Sequence, residues 1–345
     1  MAVTRLNNIH PKMLEWAYRR AGFTEEKAVK AFPELACWLS GEKLPTVNQL
    51  QLFAKGFYVP FGYLFLHEVP AETIPFPMFR GEAGDNSHFD LNVYDTVNHI
   101  RNRQDWLAEY LTENEIDTCQ LVNSITLQTP IGEAVNLLRR ELALDPRWAF
   151  NLARTDIAVG LLTEKLEQAG FFVAYNGVVG NNTQRALKVS ECRGFALVNE
   201  VAPYIFVNSA DSKSAQLFTL VHEAAHIMLG VSAGHAGEEI TAHDAYENYC
   251  DRFAAEFLVP ADVLRDTWNG DIKKHSRHFK ASEIVVARRA HDLNLLSDAA
   301  YRNFWMEYSH RPISAPKKGG GGDFYLTSVK RVGRLFAIHV RNAVT

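Results

Sequence analysis

The chain has 345 residues, of which 47% are hydrophobic and 22% charged, and its 36 basic and 40 acidic residues leave a formal net charge of -4. This length predicts two or three domains, and the balanced charge excludes a global positive field that would attract nucleic acid. No stretch approaches the ~18 uninterrupted apolar residues of a membrane span, and the N-terminus lacks the apolar core of a signal peptide. The four cysteines are scattered without CxxC pairing, which is typical of a reducing compartment, so we expect a cytoplasmic protein with no membrane partner.

The N-terminal part of the chain predicts short helices with tight connections. A proline opens the first predicted helix, over residues 11–20, and Thr24 is the predicted cap of the next one. Pro45 and Thr46 mark the predicted start of a later helix. We assign a helical domain to residues 1–70 and an extended, proline-rich linker to residues 71–90.

The central part combines helices with strands. Residues 91–128 have apolar positions at helical intervals and predict a helical connector. Three runs rich in β-branched and aromatic residues then predict strands: FFVAY (171–175), FALVN (195–199) and YIFVN (204–208). A helix that begins near Asp211, its predicted N-cap, follows them. We assign a mixed α+β domain to residues 129–265.

The C-terminal part predicts helices again. A helical region over residues 266–311 is followed by a glycine-rich linker over 312–322 and by one amphipathic helix over 323–345. This last helix stops at Thr345 without an evident cap, which suggests that the natural chain continues.

An HExxH motif lies in the apolar run FTLVHEAAHIMLG (218–230). His222 and His226 are four residues apart, so on a helix both imidazoles project from one face and can bind one ion. Glu223 lies about 100° round the helix, where its carboxylate can take a proton from water activated by Zn²⁺. The alternative is a set of core histidines, but burying such groups without a metal or partners costs roughly 2–7 kcal/mol each. The motif therefore predicts a zinc hydrolase.

A catalytic zinc needs a third protein ligand and one open position. Glu247, near the start of the next predicted helix, is the preferred ligand, with Glu256 as a rival on another face. Asp251 shares the face of Glu247 and can accept a hydrogen bond from the outer nitrogen of a ligand histidine. The alternatives are a helix-dipole carboxylate for Glu247 and a solvated charge for Asp251. His235 and His243 lie in a glycine- and charge-rich loop with no obvious positioning device.

A donor for the oxyanion of the transition state should also exist, because the metal alone leaves one lone pair uncompensated. Tyr246, Tyr249 and His243 are candidates by their proximity in sequence, and the choice among them stays open.

The two motifs together resemble the ImmA/IrrE family of zinc metallo-endopeptidases, in which HExxH is followed by a glutamate, an Asn or Asp, FAA and a proline. The resemblance spans roughly residues 130–265, and Asp251 stands where Asn is more frequent. The matching positions are His222, Glu223, His226, Glu247, Tyr249, Cys250, Asp251, Phe253, Ala254, Ala255 and Pro260.

This resemblance implies a zincin-like peptidase domain with a small, antiparallel-type sheet beside the HExxH helix and a ligand helix. It implies Zn²⁺ bound by His222, His226 and Glu247, with Glu223 as the catalytic base and Asp251 supporting a ligand histidine. It also implies that an edge of the sheet receives the substrate peptide by strand addition, the edge being FALVN or YIFVN. The implied substrate is a protein partner, a transcriptional repressor or antitoxin encoded nearby, whose cleavage switches on stress, mobile-element or phage-defence genes.

The N-terminal segment resembles a degenerate Cro/repressor-type helix-turn-helix domain, as often found fused to this peptidase. Between Phe32 and Trp38 the turn and recognition helix are reduced to PELACW, too short for the usual row of groove-reading side chains. A helical module that docks on the peptidase or binds a protein is therefore an alternative to DNA binding. For the whole chain, the alternative function is a DNA-binding regulator or toxin-antitoxin component whose peptidase fold is a sensor or scaffold.

Overall fold

The fold is given by a computed structural model that describes residues 5–72, 78–79, 90–116, 119–235, 245–311 and 324–344. The chain divides into two compact units, Met1–Thr73 and Ile74–Thr345. Within the described ranges, no helix combines the length and the apolar character that a bilayer span requires.

Short helices build the first unit. They are α1 (Pro11–Arg20), α2 (Glu25–Ala31), α3 (Leu35–Ser40), α4 (Val47–Gly56) and a 3₁₀ segment (Phe61–Phe65). The side chain of Thr24 accepts a hydrogen bond from the backbone N–H of Lys27, and Thr46 forms a capping box with Gln49. The predicted starts of α2 and α4 are therefore confirmed, because both threonines satisfy backbone donors that would otherwise lack partners.

Helix α3 overlaps the PELACW stretch, which is too short for the usual recognition helix of a helix-turn-helix domain. It has six residues, and its Leu35 and Trp38 are buried in the aromatic core of the unit. Three basic groups of the unit pair with acids of the same unit: Arg19 with Glu15, Arg20 with Glu72 and Lys43 with Glu34. Binding of DNA by this unit remains a prediction.

A five-stranded sheet is the centre of the second unit, in the order β1-β7-β5-β6-β2. Its strands are β1 (Met78–Phe79), β2 (Phe172–Asn176), β5 (Gly194–Leu197), β6 (Tyr204–Asn208) and β7 (Ala233–His235). The strands β3 (Val178–Val179) and β4 (Asn182–Ala186) form a separate antiparallel pair. All three strand runs predicted from the sequence are confirmed as β2, β5 and β6.

The sheet is mixed, so the expected antiparallel-type sheet is wrong. Strand β2 is parallel to β6 and β1 is parallel to β7, whereas β5 is antiparallel to both of its neighbours. The crossover from β2 to β6 is long enough for a parallel pair because it contains β3, β4 and β5. Strands β5 and β6 each have a neighbour on both sides, so neither FALVN nor YIFVN is an edge strand.

Alternate strand residues face two different cores, as the period of a β-strand requires. Tyr204 and Phe206 of β6 pack in the core that includes α5 (Leu91–Glu113), and Gln104 of α5 donates to the Leu197 carbonyl at 2.8 Å. Ile205 and Val207 pack on the opposite face, in the core built by the other helices. Those helices are α6 (Ile131–Glu141), α7 (Thr155–Gln168), α8 (Lys213–Met228), α9 (Ala245–Leu258), α10 (Ala261–Thr267), α11 (Ile272–Phe279) and α12 (Glu283–Asp292). Helix α13 (Asp298–Ser309) follows α12 and has no buried residue.

The cap of α8 is Ser212, one residue after the predicted Asp211. The Ser212 hydroxyl accepts a hydrogen bond from the backbone N–H of Ala215 at 3.2 Å. The carboxylate of Asp211 instead accepts hydrogen bonds from Arg193 at 3.1 Å and from the backbone N–H of Ser212 at 2.7 Å. The predicted cap was wrong by one residue, because Arg193, distant in sequence, binds the carboxylate of Asp211 and the hydroxyl of Ser212 caps the helix instead.

The C-terminal segment forms two helices, α14 (Phe324–Val332) and α15 (Arg334–Val344), where the sequence predicts one. Gly333 separates them with a φ of 97°, a backbone conformation that favours glycine. A Cβ atom there would lie 2.9 Å from the Val173 carbonyl oxygen. The Val332 carbonyl accepts a hydrogen bond from the Tyr204 hydroxyl at 3.0 Å. The prediction of a single helix is therefore wrong, because the break at Gly333 lets the segment pack against the sheet.

Candidate metal centre

Helices α8 and α9 bring the predicted metal-binding side chains together. His222, Glu223 and His226 lie on α8, which packs against the sheet, and Glu247 lies in the first turn of α9. All four side chains are buried, with 1%, 0%, 1% and 4% of their surface exposed in that order. Polar groups at this depth need compensation by partners or by an ion.

The nitrogen and oxygen atoms converge on one point. The Nε2 atoms of His222 and His226 are 3.1 Å apart. The carboxylate of Glu247 places Oε2 at 3.2 Å from Nε2 of His222 and Oε1 at 2.9 Å from Nε2 of His226. In a tetrahedral site with bonds of 2.0–2.2 Å, neighbouring ligand atoms lie about 3.3 Å apart. The three side chains therefore form a group that could hold a metal ion, and a tetrahedral site would take one further ligand.

Asp251 orients one of these histidines from outside the group. Its Oδ1 lies 3.0 Å from Nδ1 of His222. This contact favours a proton on Nδ1 and leaves Nε2, which faces Glu247, free to bind a metal. Because Asp251 follows Glu247 by four residues on α9, one helix face supplies both the carboxylate of the group and the support for the histidine.

The charges of the site favour a cation. Burial raises the pKa of Glu223 to about 8, and the negative charges of Glu247 and Asp251 raise it further, against a lowering effect of His222. Burial lowers the pKa of His222, but its hydrogen bonds to Asp251 and Glu247 outweigh this and raise it well above the usual 6.5. Burial of Glu223 and the carboxylates that contact His222 therefore favour the protonated form of each group. A divalent cation would compensate the same negative charge, so the residues present fit a metal.

Glu223 lies between α8 and the sheet and is set apart from the three converging side chains. Both of its carboxylate oxygens are buried and have no hydrogen-bond partner in the described part of the chain. A Cβ atom built on Gly194, the first residue of β5, would lie 3.5 Å from Oε1 of Glu223. A buried acceptor without a partner is suited to take a proton from a water molecule in the site.

Gly194 is a residue that the sequence reasoning missed. A Cβ atom on it would lie 2.4 Å from Cγ2 of Thr219 and 2.7 Å from the Phe206 carbonyl oxygen, so only glycine fits where α8 crosses β5. The available signal was a glycine at the start of a strand run, which often marks a close backbone approach.

We expect Gly194→Ala to lower the free energy of unfolding by about 1–3 kcal/mol, because the added methyl group forces α8 and the sheet apart. Urea denaturation measures this change. The matched control is Gly160→Ala in α7, where an added Cβ meets nothing within 4 Å and alanine should be neutral or slightly stabilising. Equal stabilities of the two variants would contradict the close packing at Gly194.

The other candidates from the sequence have different surroundings. The carboxylate of Glu256 pairs with Arg289 and accepts a hydrogen bond from the backbone N–H of Ala261 at 3.3 Å, and it is not among the three converging side chains. The Tyr249 hydroxyl donates to the Thr129 carbonyl at 2.9 Å, so its proton is already in use. Tyr246 lies at the surface, with 37% of its area exposed. His243 and the side chain of His235 lie outside the described residues.

Residues 181–291 match the family model described as Peptidase_M78, the IrrE N-terminal-like domain. The resemblance seen in the motifs spans roughly residues 130–265, so the match begins later in the chain and ends further on. It includes β5, β6 and the helices α8 to α12. Among curated proteins, no significant match to the chain was found. The match supports the resemblance to the ImmA/IrrE family and indicates a metallopeptidase-like function for this region.

Proposed function

We propose that the protein is a zinc-dependent endopeptidase of the glutamate-zincin type that cleaves a specific protein partner. The observation that carries the proposal is the convergence of His222, His226 and Glu247 beside the buried carboxylate of Glu223. Two imidazoles and one carboxylate with an open fourth position are the ligand set of a catalytic zinc, whereas structural zinc sites are closed by four protein ligands.

Each side chain has a distinct role in this proposal. His222, His226 and Glu247 would hold Zn²⁺, which supplies a Lewis acid that polarises the substrate carbonyl and acidifies water. Glu223 would accept the proton of the attacking water and then deliver it to the leaving amine. Asp251 would hold His222 in the tautomer that binds through Nε2. The burial of the two histidines and two glutamates keeps their electrostatic interactions strong.

The proposed substrate is a transcriptional repressor or antitoxin, and its cleavage would switch on stress, mobile-element or phage-defence genes. The resemblance to the ImmA/IrrE peptidases supports this choice. The alternative, a regulator or toxin-antitoxin component that uses the peptidase fold as a sensor or scaffold, makes a different prediction. In that case the biological effect survives Glu223→Gln and disappears when residues 1–70 are deleted.

Incubation with the repressor or antitoxin encoded by the neighbouring gene tests the proposal. We expect the zinc-loaded protein to convert this substrate into two fragments whose masses add up to the substrate plus one water, as measured by intact mass spectrometry. A chelator should stop the reaction, and added Zn²⁺ should restore it. Failure of the zinc-loaded protein to cut any neighbouring repressor or antitoxin would reject this class of substrate.

A further inference from the structure

Helix α13 presents large apolar side chains to solvent. None of its residues is buried, and Trp305 and Met306 keep 47% and 55% of their surface exposed. Arg302 lies three and four residues before them, so the three side chains share one face of the helix. Single exposed apolar side chains need no explanation, whereas adjacent ones rimmed by polar groups mark an interaction surface.

This face borders a groove between α12 and α13, which we name the α13 groove. The side chains that line it include Arg288 of α12 and Tyr301, Arg302, Trp305 and Met306 of α13. Its volume of about 600 Å³ lies within the range of roughly 300–1,000 Å³ that is typical of binding sites. The ring of Tyr301 stacks on His291 of α12 at 4.7 Å, and His291 also binds the carboxylate of Asp298 at 2.7 Å. These contacts hold the two helices together.

Helix α12 also joins the groove to a helix of the candidate metal centre. Arg289 of α12 pairs with Glu256 of α9 and donates to the Val259 carbonyl at 3.2 Å. Glu247, one of the converging side chains, lies in the first turn of the same helix α9. A partner held in the α13 groove would therefore be attached to the domain that contains the metal centre.

Two arginines of the groove have no acidic partner. Within the part of the chain that the structure describes, neither Arg288 nor Arg302 has a carboxylate oxygen within 4.0 Å. Asp298 lies four residues before Arg302 but binds His291 instead. A guanidinium group binds a carboxylate through two parallel hydrogen bonds. The charge of the groove is therefore complementary to acidic side chains placed beside apolar ones.

The surrounding charges disfavour two other occupants. Together α12 and α13 carry three arginines and four acidic residues, so these helices offer no basic stripe for a phosphate backbone. A symmetric contact of groove against groove between two copies would bring the same arginines of both copies together. An acidic segment of a different protein meets neither repulsion.

We propose that the α13 groove binds a short segment of a partner protein in which one or two acidic side chains lie beside an aromatic or large aliphatic one. The acidic side chains pair with Arg288 and Arg302, and the apolar side chain covers Trp305 and Met306. Tryptophan and arginine are enriched among the residues that dominate binding energy, and methionine adapts to partners of different shape. This binding site goes beyond the proposed peptidase function and does not depend on it.

Selection from a phage-displayed library of random peptides tests the proposal. The full chain carries Glu223→Gln, so that hydrolysis does not interfere. We expect the enriched peptides to combine acidic residues with an aromatic or large aliphatic one. In fluorescence anisotropy with fluorescein-labelled copies of these peptides, Arg302→Glu and Trp305→Ala should each weaken binding at least tenfold. Both changes are at exposed positions, where substitutions have little effect on stability.

Arg101→Glu is the matched control, because it reverses the charge of an exposed arginine on α5. We expect it to change the affinity less than twofold. A failure to enrich acidic peptides, or equal binding of them by all variants, would overturn the inference. Binding of oligothymidylate that Arg302→Glu abolishes would overturn it in favour of nucleic acid. A dimer in gel filtration that Trp305→Ala dissociates would overturn it in favour of a second copy of the chain.

Discussion

Replacing Glu223 with glutamine is expected to lower the rate of peptide hydrolysis by about 10²–10⁴-fold, the usual contribution of a general acid–base group. Glutamine has nearly the same size, so the packing beside Gly194 is preserved, but it cannot accept a proton from water. The metal content should stay at the level of the unmodified protein, because the converging side chains are His222, His226 and Glu247. Cleavage rates and metal analysis by mass spectrometry measure the two quantities on the same sample.

Glu256→Gln is the matched control for this experiment, since it makes the same chemical change in a partly buried glutamate that pairs with Arg289. We expect it to retain metal and hydrolytic activity at temperatures at which the protein is folded, with a cost in stability from the weakened ion pair. Full activity of Glu223→Gln would show that another group accepts the proton. Loss of activity in both variants to the same extent would indicate a general effect on folding.

Replacing Glu247 with glutamine is expected to abolish the retention of zinc. The change removes the only carboxylate among the three converging side chains, so a buried divalent cation would be left with two neutral imidazoles. Zinc should then no longer stabilise the fold, whereas for the unmodified protein a metal concentration of 1,000 times Kd adds about 4 kcal/mol. Metal analysis after gel filtration and thermal unfolding with and without Zn²⁺ check both effects.

Asp251→Asn is the graded comparison for this prediction. Its carboxylate lies 3.0 Å from Nδ1 of His222, on the side away from the converging atoms, so we expect zinc to bind with an affinity lower by about 10–100-fold and an unchanged stoichiometry. Competition with a chromogenic chelator measures the affinity. If Asp251→Asn loses zinc as completely as Glu247→Gln does, Asp251 is itself a ligand and the division of roles between the two carboxylates is wrong.

The grouping of His222, His226 and Glu247 could be predicted from the sequence because its geometry is mostly local. A separation of four residues places two histidines on one helix face whatever surrounds the helix. The same local reasoning located the strands, the cap at Thr24 and the helix start at Thr46, since alternation of apolar residues and side-chain capping act over a few residues. It failed by one residue at the start of α8, where Arg193, distant in sequence, binds Asp211.

The order and direction of the strands could not be predicted in this way. Strand pairing uses backbone N–H and C=O groups that are the same in every residue, so β5 and β6 carry no sign that each has two neighbours. The break of the last helix at Gly333 likewise depends on the Val173 carbonyl, far away in the chain.

The sequence alone determined that His222 and His226 share one helix face, because helical spacing is a property of nearby residues. The packing of α8 against α9 then brought Glu247 to them. The tertiary structure alone decided that Gly194 lies beside Glu223 and that Met78–Phe79 covers the outer edge of β7. Both depend on contacts between segments far apart in the chain, and such contacts arise only when the whole core packs.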